Sequence, residues 1–222
     1  MKQFITILFT VFALFSACKP EVKKEVVAAE PIDTAKVLEF GVDLNKHLPV
    51  GLNVGDKAPD FELPNQNGEL VKLSTVLKDK PVVLFFYRGN WCPACRKHLT
   101  KFQADVQLLY DKGYAVMALT AEPQNKLQAV VDSTGVAYNL LSDKELKVAK
   151  QFDVAFTLTE DYDKMLKGYE IFLLEHNETE NADLPVTATF IMDEDGIITH
   201  KFFTYDYKNR ATVQQILAEL EK

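Results

Sequence analysis

The chain has 222 residues, with 25 Lys and Arg against 32 Asp and Glu and a formal charge of −7 at pH 7. No Lys/Arg-rich cluster offsets that acidity, which excludes nucleic acid as a natural partner. The 47% of hydrophobic residues suffices for one sizeable core, and the four histidines show no paired ligand spacing, so a structural zinc site with its about four ligands is not expected.

Residues 1–17 carry Lys2 and then an apolar run from Phe4 to Phe15, closed by Ser16 and Ala17 directly before Cys18. This is the layout of a secretory signal with its cleavage site, and the run is too short to span a bilayer comfortably. Leu14-Phe15-Ser16-Ala17-Cys18 resembles a bacterial lipobox, with Phe15 where Leu is usual. That resemblance implies lipidation at Cys18 and a membrane-anchored lipoprotein of the cell envelope, facing the periplasm or the exterior. An ordinary signal peptide with a chance cysteine is the plainer alternative. Removing Lys2 with the signal takes the charge from −7 to about −8. Residues 18–50 read as a tether and N-terminal extension, opening with the mixed charges of Lys19 to Glu25 and with Pro31 following.

The folded domain is expected over about 51–222. Gly55 to Leu63 reads as extended, Asn65-Gln66-Asn67-Gly68 as a turn, and Glu69 to Leu73 as the return arm of a hairpin. Residues 82–87 are apolar throughout, as a strand covered on both faces should be. A helix follows over 93–111, ending near Gly113, then a strand over 114–120 and a helix over 123–135. A short strand over 137–141 and a short helix over 144–152 come next. Residues 153–184 break the alternation, yet Tyr162, Met165, Tyr169, Ile171, Phe172, Leu173 and Leu174 are too apolar for a free loop. They read as an inserted helical segment, either packed near the active-site end or filling the core, the simpler of the two. A strand over 187–192, the turn Asp193-Glu194-Asp195-Gly196, a strand over 197–203 and an amphipathic helix over 211–220 close the chain. The order predicts an α/β domain with a central mixed sheet and helices on both faces.

Chemistry concentrates in Trp91-Cys92-Pro93-Ala94-Cys95, placed between the 82–87 strand and the helix after it. A Cys-x-x-Cys at a strand-to-helix turn is the layout of a dithiol redox centre. Two cysteines three apart lie about one helical turn from each other and can close a small disulfide. The helix N-terminus favours negative charge, which marks Cys92 as the reactive thiolate. Pro93 suits the first turn, where its missing N–H is not needed. With Cys18 assigned to the lipobox, Cys92 and Cys95 are the only pair left, and a lone pair in an exported domain is more apt to work than to brace. Cys92 is expected to be more exposed than Cys95, and Trp91 to pack beside the motif.

Three stretches carry a family resemblance. Gly55-Asp56-Lys57-Ala58-Pro59-Asp60-Phe61, Tyr87 to Cys95, and Leu184 to Gly196 are similar to the opening, the active-site motif and the late strand-and-hairpin of the alkyl hydroperoxide reductase/thiol-specific antioxidant (AhpC/TSA) family. The chain therefore resembles a peroxiredoxin-like protein with a thioredoxin-like fold, a thiol-dependent antioxidant enzyme needing no cofactor. The departures matter as much. Where typical peroxiredoxins carry Pro-x-x-x-Thr-x-x-Cys, this chain has Phe85 and Gly89 before Cys92, and Thr187 stands where an Arg or a cis-proline is usual. Pro185 falls two residues too early to substitute for that proline. Arg88 and Arg96 are candidates for the positive charge that activates the thiols, with a solvated surface position the alternative for each. His98 is the weaker helper and is expected to face solvent.

Two reactions use the same residues. Cys92 attacks a protein disulfide and Cys95 resolves the mixed disulfide, or Cys92 attacks a peroxide and Cys95 condenses with the sulfenic acid. The resemblance favours peroxide. Both leave a Cys92–Cys95 disulfide that an outside thiol reductant must reopen, either a thioredoxin-like donor or a membrane electron carrier. A third alternative is a Sco-like copper-delivery protein with His200 as third ligand, although the cysteines of that class are separated by three residues rather than two.

Overall fold

The computed structural model describes residues 32–222. The expected signal peptide, Cys18 and the start of the expected tether lie outside the described residues. The extension nevertheless enters the domain well before residue 51. Helix α1, Thr34–Glu39, is capped by the Asp33 carboxylate on the Lys36 N–H, and it buries Val37. Val42 is also buried and bridges Leu158. The expected first hairpin forms from β1, Glu62–Pro64, and β2, Leu70–Lys72, followed by the short helix α2, Leu73–Val76.

The central strand is β3, Val82–Phe86, with α3, Pro93–Asp105, after it. The single helix expected over 93–111 tightens at Val106, whose N–H reaches Gln103 O, and resumes as α4, Gln107–Asp111. Strand β4 is Ala115–Thr120, α5 is Leu127–Thr134 behind a short 3-10 turn, and β5 is Asn139–Ser142. The helix expected over 144–152 becomes regular only at α6, Lys147–Gln151. Glu145 and Leu146 take φ of 66° and 56°, and the Asp143 carboxylate receives the N–H groups of Val148 and Ala149.

The inserted segment is not purely helical. Its ends pair as antiparallel strands β6, Ala155–Thr157, and β7, Asp183–Pro185, with α7, Glu160–Gly168, and α8, Leu173–Asn177, between them. Three-residue strands carry too little alternation to be read from sequence. The chain ends with β8, Thr189–Met192, β9, Ile198–Phe202, and α9, Val213–Leu220, which opens on a Thr212/Gln215 capping box.

The main sheet has strand order β5-β4-β3-β8-β9. β3, β4 and β5 are parallel, while β8 pairs antiparallel with both β3 and β9, which places β9 in the direction of β3. Successive side chains of a strand point to opposite faces. Accordingly Val82, Leu84 and Phe86 enter a core shared with Phe152 and Phe190, while Val83, Phe85 and Tyr87 enter the one shared with Leu99, Leu127 and Ile216. Both faces of β3 are thus dry, which explains its unbroken apolar run. This is the thioredoxin-like α/β arrangement the sequence predicts, and it delivers the chain after β3 to the head of α3.

Candidate active site

The turn between β3 and α3 is tightly specified. Tyr87 N–H still bonds Leu119 O at 2.9 Å, and Cys92 N–H bonds Gly89 O at 3.2 Å. Gly89 has a φ of +145°, and a Cβ there would lie 2.4 Å from Trp91 Nε1 and 3.0 Å from Glu122 Cδ. A threonine at this position would collide with the Trp91 ring as it lies here, so the ring and the family's usual hydroxyl compete for the same space. Cys92 caps α3: its Sγ accepts the Cys95 N–H at 3.3 Å, and Pro93 follows in the first turn. Cys92 is 3% exposed and Cys95 0%, the order expected, with both thiols free.

The two thiols sit in the cap and first turn of one helix, with Cys92 Sγ on the Cys95 N–H, a placement from which a disulfide closes with modest movement. Their charge is distributed differently from the sequence expectation. The hydrogen bond to Cys95, then burial, raise Cys92 above the ordinary thiol value. Burial opposes ionisation of Cys95 too, but the hydrogen bond from Cys92 and the charges of Arg210 and Arg88 outweigh it and bring Cys95 down to about 5. The lowering expected at Cys92 therefore falls on Cys95. The cation in direct contact is Arg210, whose Nη2 lies 3.0 Å from Cys95 Sγ. Negative charge on the pair is thus favoured at Cys95 over Cys92.

Arg88 is where an activating cation should be. It is 3% exposed, its Cζ lies 4.1 Å from the Tyr207 ring centroid and 4.9 Å from that of Trp91, and Nη1 reaches Tyr162 Oη at 3.4 Å. Its charge favours ionisation of both thiols. Arg96, by contrast, is exposed on α3 with no side-chain partner among the described residues, so the surface alternative holds for it. His98 does not face solvent as expected. Its ring meets Phe85 edge-on at 5.7 Å, and burial with the charge of Arg210 lowers it to about 3, so it stays neutral. Trp91 packs beside the motif and against His176 of α8, centroids 6.4 Å apart. With Tyr162 on Arg88, this brings the inserted segment to the active-site end rather than leaving it as core filling alone. His200 lies in β9 with Nδ1 3.0 Å from Thr199 Oγ1, and no group of three or more His, Cys, Asp or Glu among the described residues could hold a metal.

Two buried charged residues near the cysteines escape the sequence expectations. Arg210 is 115 positions from Cys95 in a polar loop, and no local pattern marks it. Glu122 does leave a trace, a carboxylate just beyond the end of a buried parallel strand, the edge at which α/β sheets build sites. It is 2% exposed and accepts the Asn90 N–H at 2.9 Å. Burial, opposed by that hydrogen bond, raises it to about 7. Neither residue borders a cavity of about 470 Å³ lined by Lys144, Glu178 and Asp183 among others.

The sequence pattern of the AhpC/TSA family matches residues 54–201. The chain belongs to that family. It is 28% identical over 145 residues to peroxiredoxin Bcp of Bacillus subtilis, covering 65% of this chain and 81% of that one. The crystal structure of peroxidoxin BcpB from Mycobacterium tuberculosis superposes with a TM-score of 0.59 at 27% identity, covering 77% of this chain and 97% of that one. Reduced Prx3 from Vibrio vulnificus has a TM-score of 0.61 at 16% identity over 76% of this chain and 99% of that one, and shows the shared fold. The AhpC/TSA chain described here is a thiol-dependent oxidoreductase, and its relatives favour peroxide reduction over the protein-disulfide and copper-delivery alternatives.

Proposed function

We propose that this protein reduces peroxides through the Cys92–Cys95 pair. The observation that carries the reading is the free Cys92–Cys95 pair at the head of α3, with Arg210 Nη2 3.0 Å from Cys95 Sγ, in a chain of this family. Cys92 passes its proton to Cys95, and its sulfur attacks the peroxide O–O bond. Cys92 becomes a sulfenic acid, and the departing alkoxide takes the proton back from Cys95 to leave as the alcohol. Cys95, again a thiolate, attacks the Cys92 sulfur; the hydroxide released takes a solvent proton and leaves as water. The pair has then lost two electrons, and an outside thiol reductant returns them. The reducing partner is a thioredoxin-like donor or a membrane electron carrier.

Gly89 and Thr187 leave the usual Thr and Arg positions without those donors. Hydrogen bonds that strengthen as the O–O bond breaks are correspondingly fewer. The rate with hydrogen peroxide is expected above that of a free thiol and below that of family members carrying both residues. Stopped-flow oxidation of reduced protein measures it. Cys92→Ser should abolish turnover, and Cys95→Ser should react once and accumulate sulfenic acid, visible by mass. Normal turnover of Cys95→Ser without added thiol would refute the resolving role.

The same proposal places the enzyme at a bacterial membrane through acylated Cys18, supported by the short apolar run and the Leu14–Cys18 motif. Mass spectrometry of the mature N-terminus should find a lipid-modified Cys18; an intact Met1, or cleavage beyond Cys18, contradicts it.

A further inference from the structure

Two fully surrounded cations stand beside the cysteines, and among the described residues neither has a carboxylate partner within 4 Å. Arg88 is compensated by aromatic faces. Arg210, 8% exposed, is compensated by the Cys95 sulfur, while its Nε and Nη1 have no hydrogen-bond partner. Arg210 also lines a cavity of about 320 Å³ together with Thr187, Asn209, Gln215 and Phe202. Thr187 is 4% exposed, and its Oγ1 has no partner either. Two buried and unsatisfied polar side chains therefore border one cavity next to the redox pair.

A buried charge without a counter-charge is costly, and a buried donor without an acceptor adds to that cost. In the reduced protein the thiolate meets the first need. Oxidation removes it: the pair as thiol and thiolate, with one peroxide and one proton, gives the disulfide, one alcohol and one water. The two sulfurs are oxidised, the peroxide oxygens are reduced, and the negative charge beside Arg210 is gone. We propose that the cavity then takes up a small oxyanion, a carboxylate or inorganic phosphate, which Arg210 and Thr187 hold in place of the lost thiolate. Guanidinium suits such groups by geometry as well as charge. Anion uptake stabilises the oxidised state alone, so it is linked to the redox equilibrium of the pair and is reversed on reduction. The inference rests on the peroxidase reading only in needing the Cys92–Cys95 disulfide.

The test is the equilibrium of the disulfide against a dithiol of known potential, at fixed pH and ionic strength, across a series of phosphate concentrations and a second series of acetate. The equilibrium should move toward the disulfide with one of these anions, approaching tenfold per tenfold anion above its dissociation constant, which is about 30 mV for a two-electron couple. The series that acts at lower concentration identifies the class. Arg210→Gln and Thr187→Val should each flatten the dependence. Phosphorus NMR of wild-type protein gives a reading that needs no variant: where phosphate is the active anion, its resonance should broaden with oxidised but not reduced protein. A potential indifferent to both anions overturns the proposal, as does an equal dependence in Arg210→Gln. If peroxide forms no disulfide at all, the peroxidase reading fails first, and that outcome is distinguishable by mass.

Discussion

Arg88 and Arg210 reach the same pair of sulfurs from two differently built regions. Arg88 follows β3 and is clasped by the rings of Trp91, Tyr162 and Tyr207, contributed by the active-site turn, by α7 and by the loop before α9. Arg210, three residues beyond Tyr207, is held by sulfur. An aromatic face does not change charge when the cysteines are oxidised, whereas a thiolate does. One cation is therefore a permanent part of the electrostatic field and the other is sensitive to redox state. The difference also adds to the preference for charge at Cys95 that the interaction with Cys92 sets up: the guanidinium in contact with Cys95 lowers it more than Arg88 does.

Removing each guanidinium should break this comparison unequally. Arg210→Met is expected to raise the first ionisation of the pair by about 1–3 pH units, the usual effect of one close opposite charge. Arg88→Met should raise it less, because Arg88 acts at longer range, yet it should slow peroxide reduction by about tenfold through lost stabilisation of the departing oxygen. Ultraviolet thiolate absorbance against pH, paired with stopped-flow rates, separates the two. Equal shifts from the two variants would show that contact with Cys95 is not what sets the charge.

The comparison marks where the sequence was readable. Strand β3 and the head of α3 were legible because their signals are local: an apolar run, a Cys-x-x-Cys and a proline in the first turn. Arg88 could be nominated because it adjoins that motif. Arg210 could not, since only the fold brings it to Cys95. The ends of the inserted segment were missed because β6 and β7 are too short to show a period, and its position over the site depends on pairings such as Trp91 with His176. His98 was misplaced for a similar reason, because helix spacing does not say that Phe85 and Phe102 wait on that side. Gly89 could be seen as a departure from the family, but only the fold shows the Trp91 ring competing for the space of the usual hydroxyl.

Glu122 sharpens the contrast from the anionic side. Its carboxyl is raised to about 7, chiefly by burial. The unfolded chain loses this proton near the ordinary value of about 4.3, so between there and 7 the folded state binds more protons than the unfolded one. Stability must then fall as pH rises through that window. Asp143, raised to about 6 mainly by burial, acts in the same direction. Glu122→Gln should remove only its own share, on the order of 3 kcal/mol of the loss between pH 4 and pH 8. Urea unfolding of both proteins at the two pH values measures it, and an unchanged pH dependence would show that Glu122 ionises as freely as it does in water.

The smallest effect belongs to Arg96. It stands one residue beyond Cys95, closer in sequence to the pair than Arg210, yet it is exposed and touches neither sulfur. Solvent screens a charge in that position, since exposed charges interact weakly beyond about 8 Å at physiological salt. Its place in the first turn of α3 also sets a cation against the positive end of the helix dipole, a cost of about 0.3–1 kcal/mol when unscreened. Arg96→Ala should therefore leave the pair's ionisation and the peroxide rate within about twofold of wild type, and stability unchanged or slightly higher, because the lost charge opposes the dipole rather than helping it. The same thiolate titration and stopped-flow assay decide the matter: a loss as large as that of Arg88→Met would mean that nearness along the chain, and not burial and contact, selects the activating arginine.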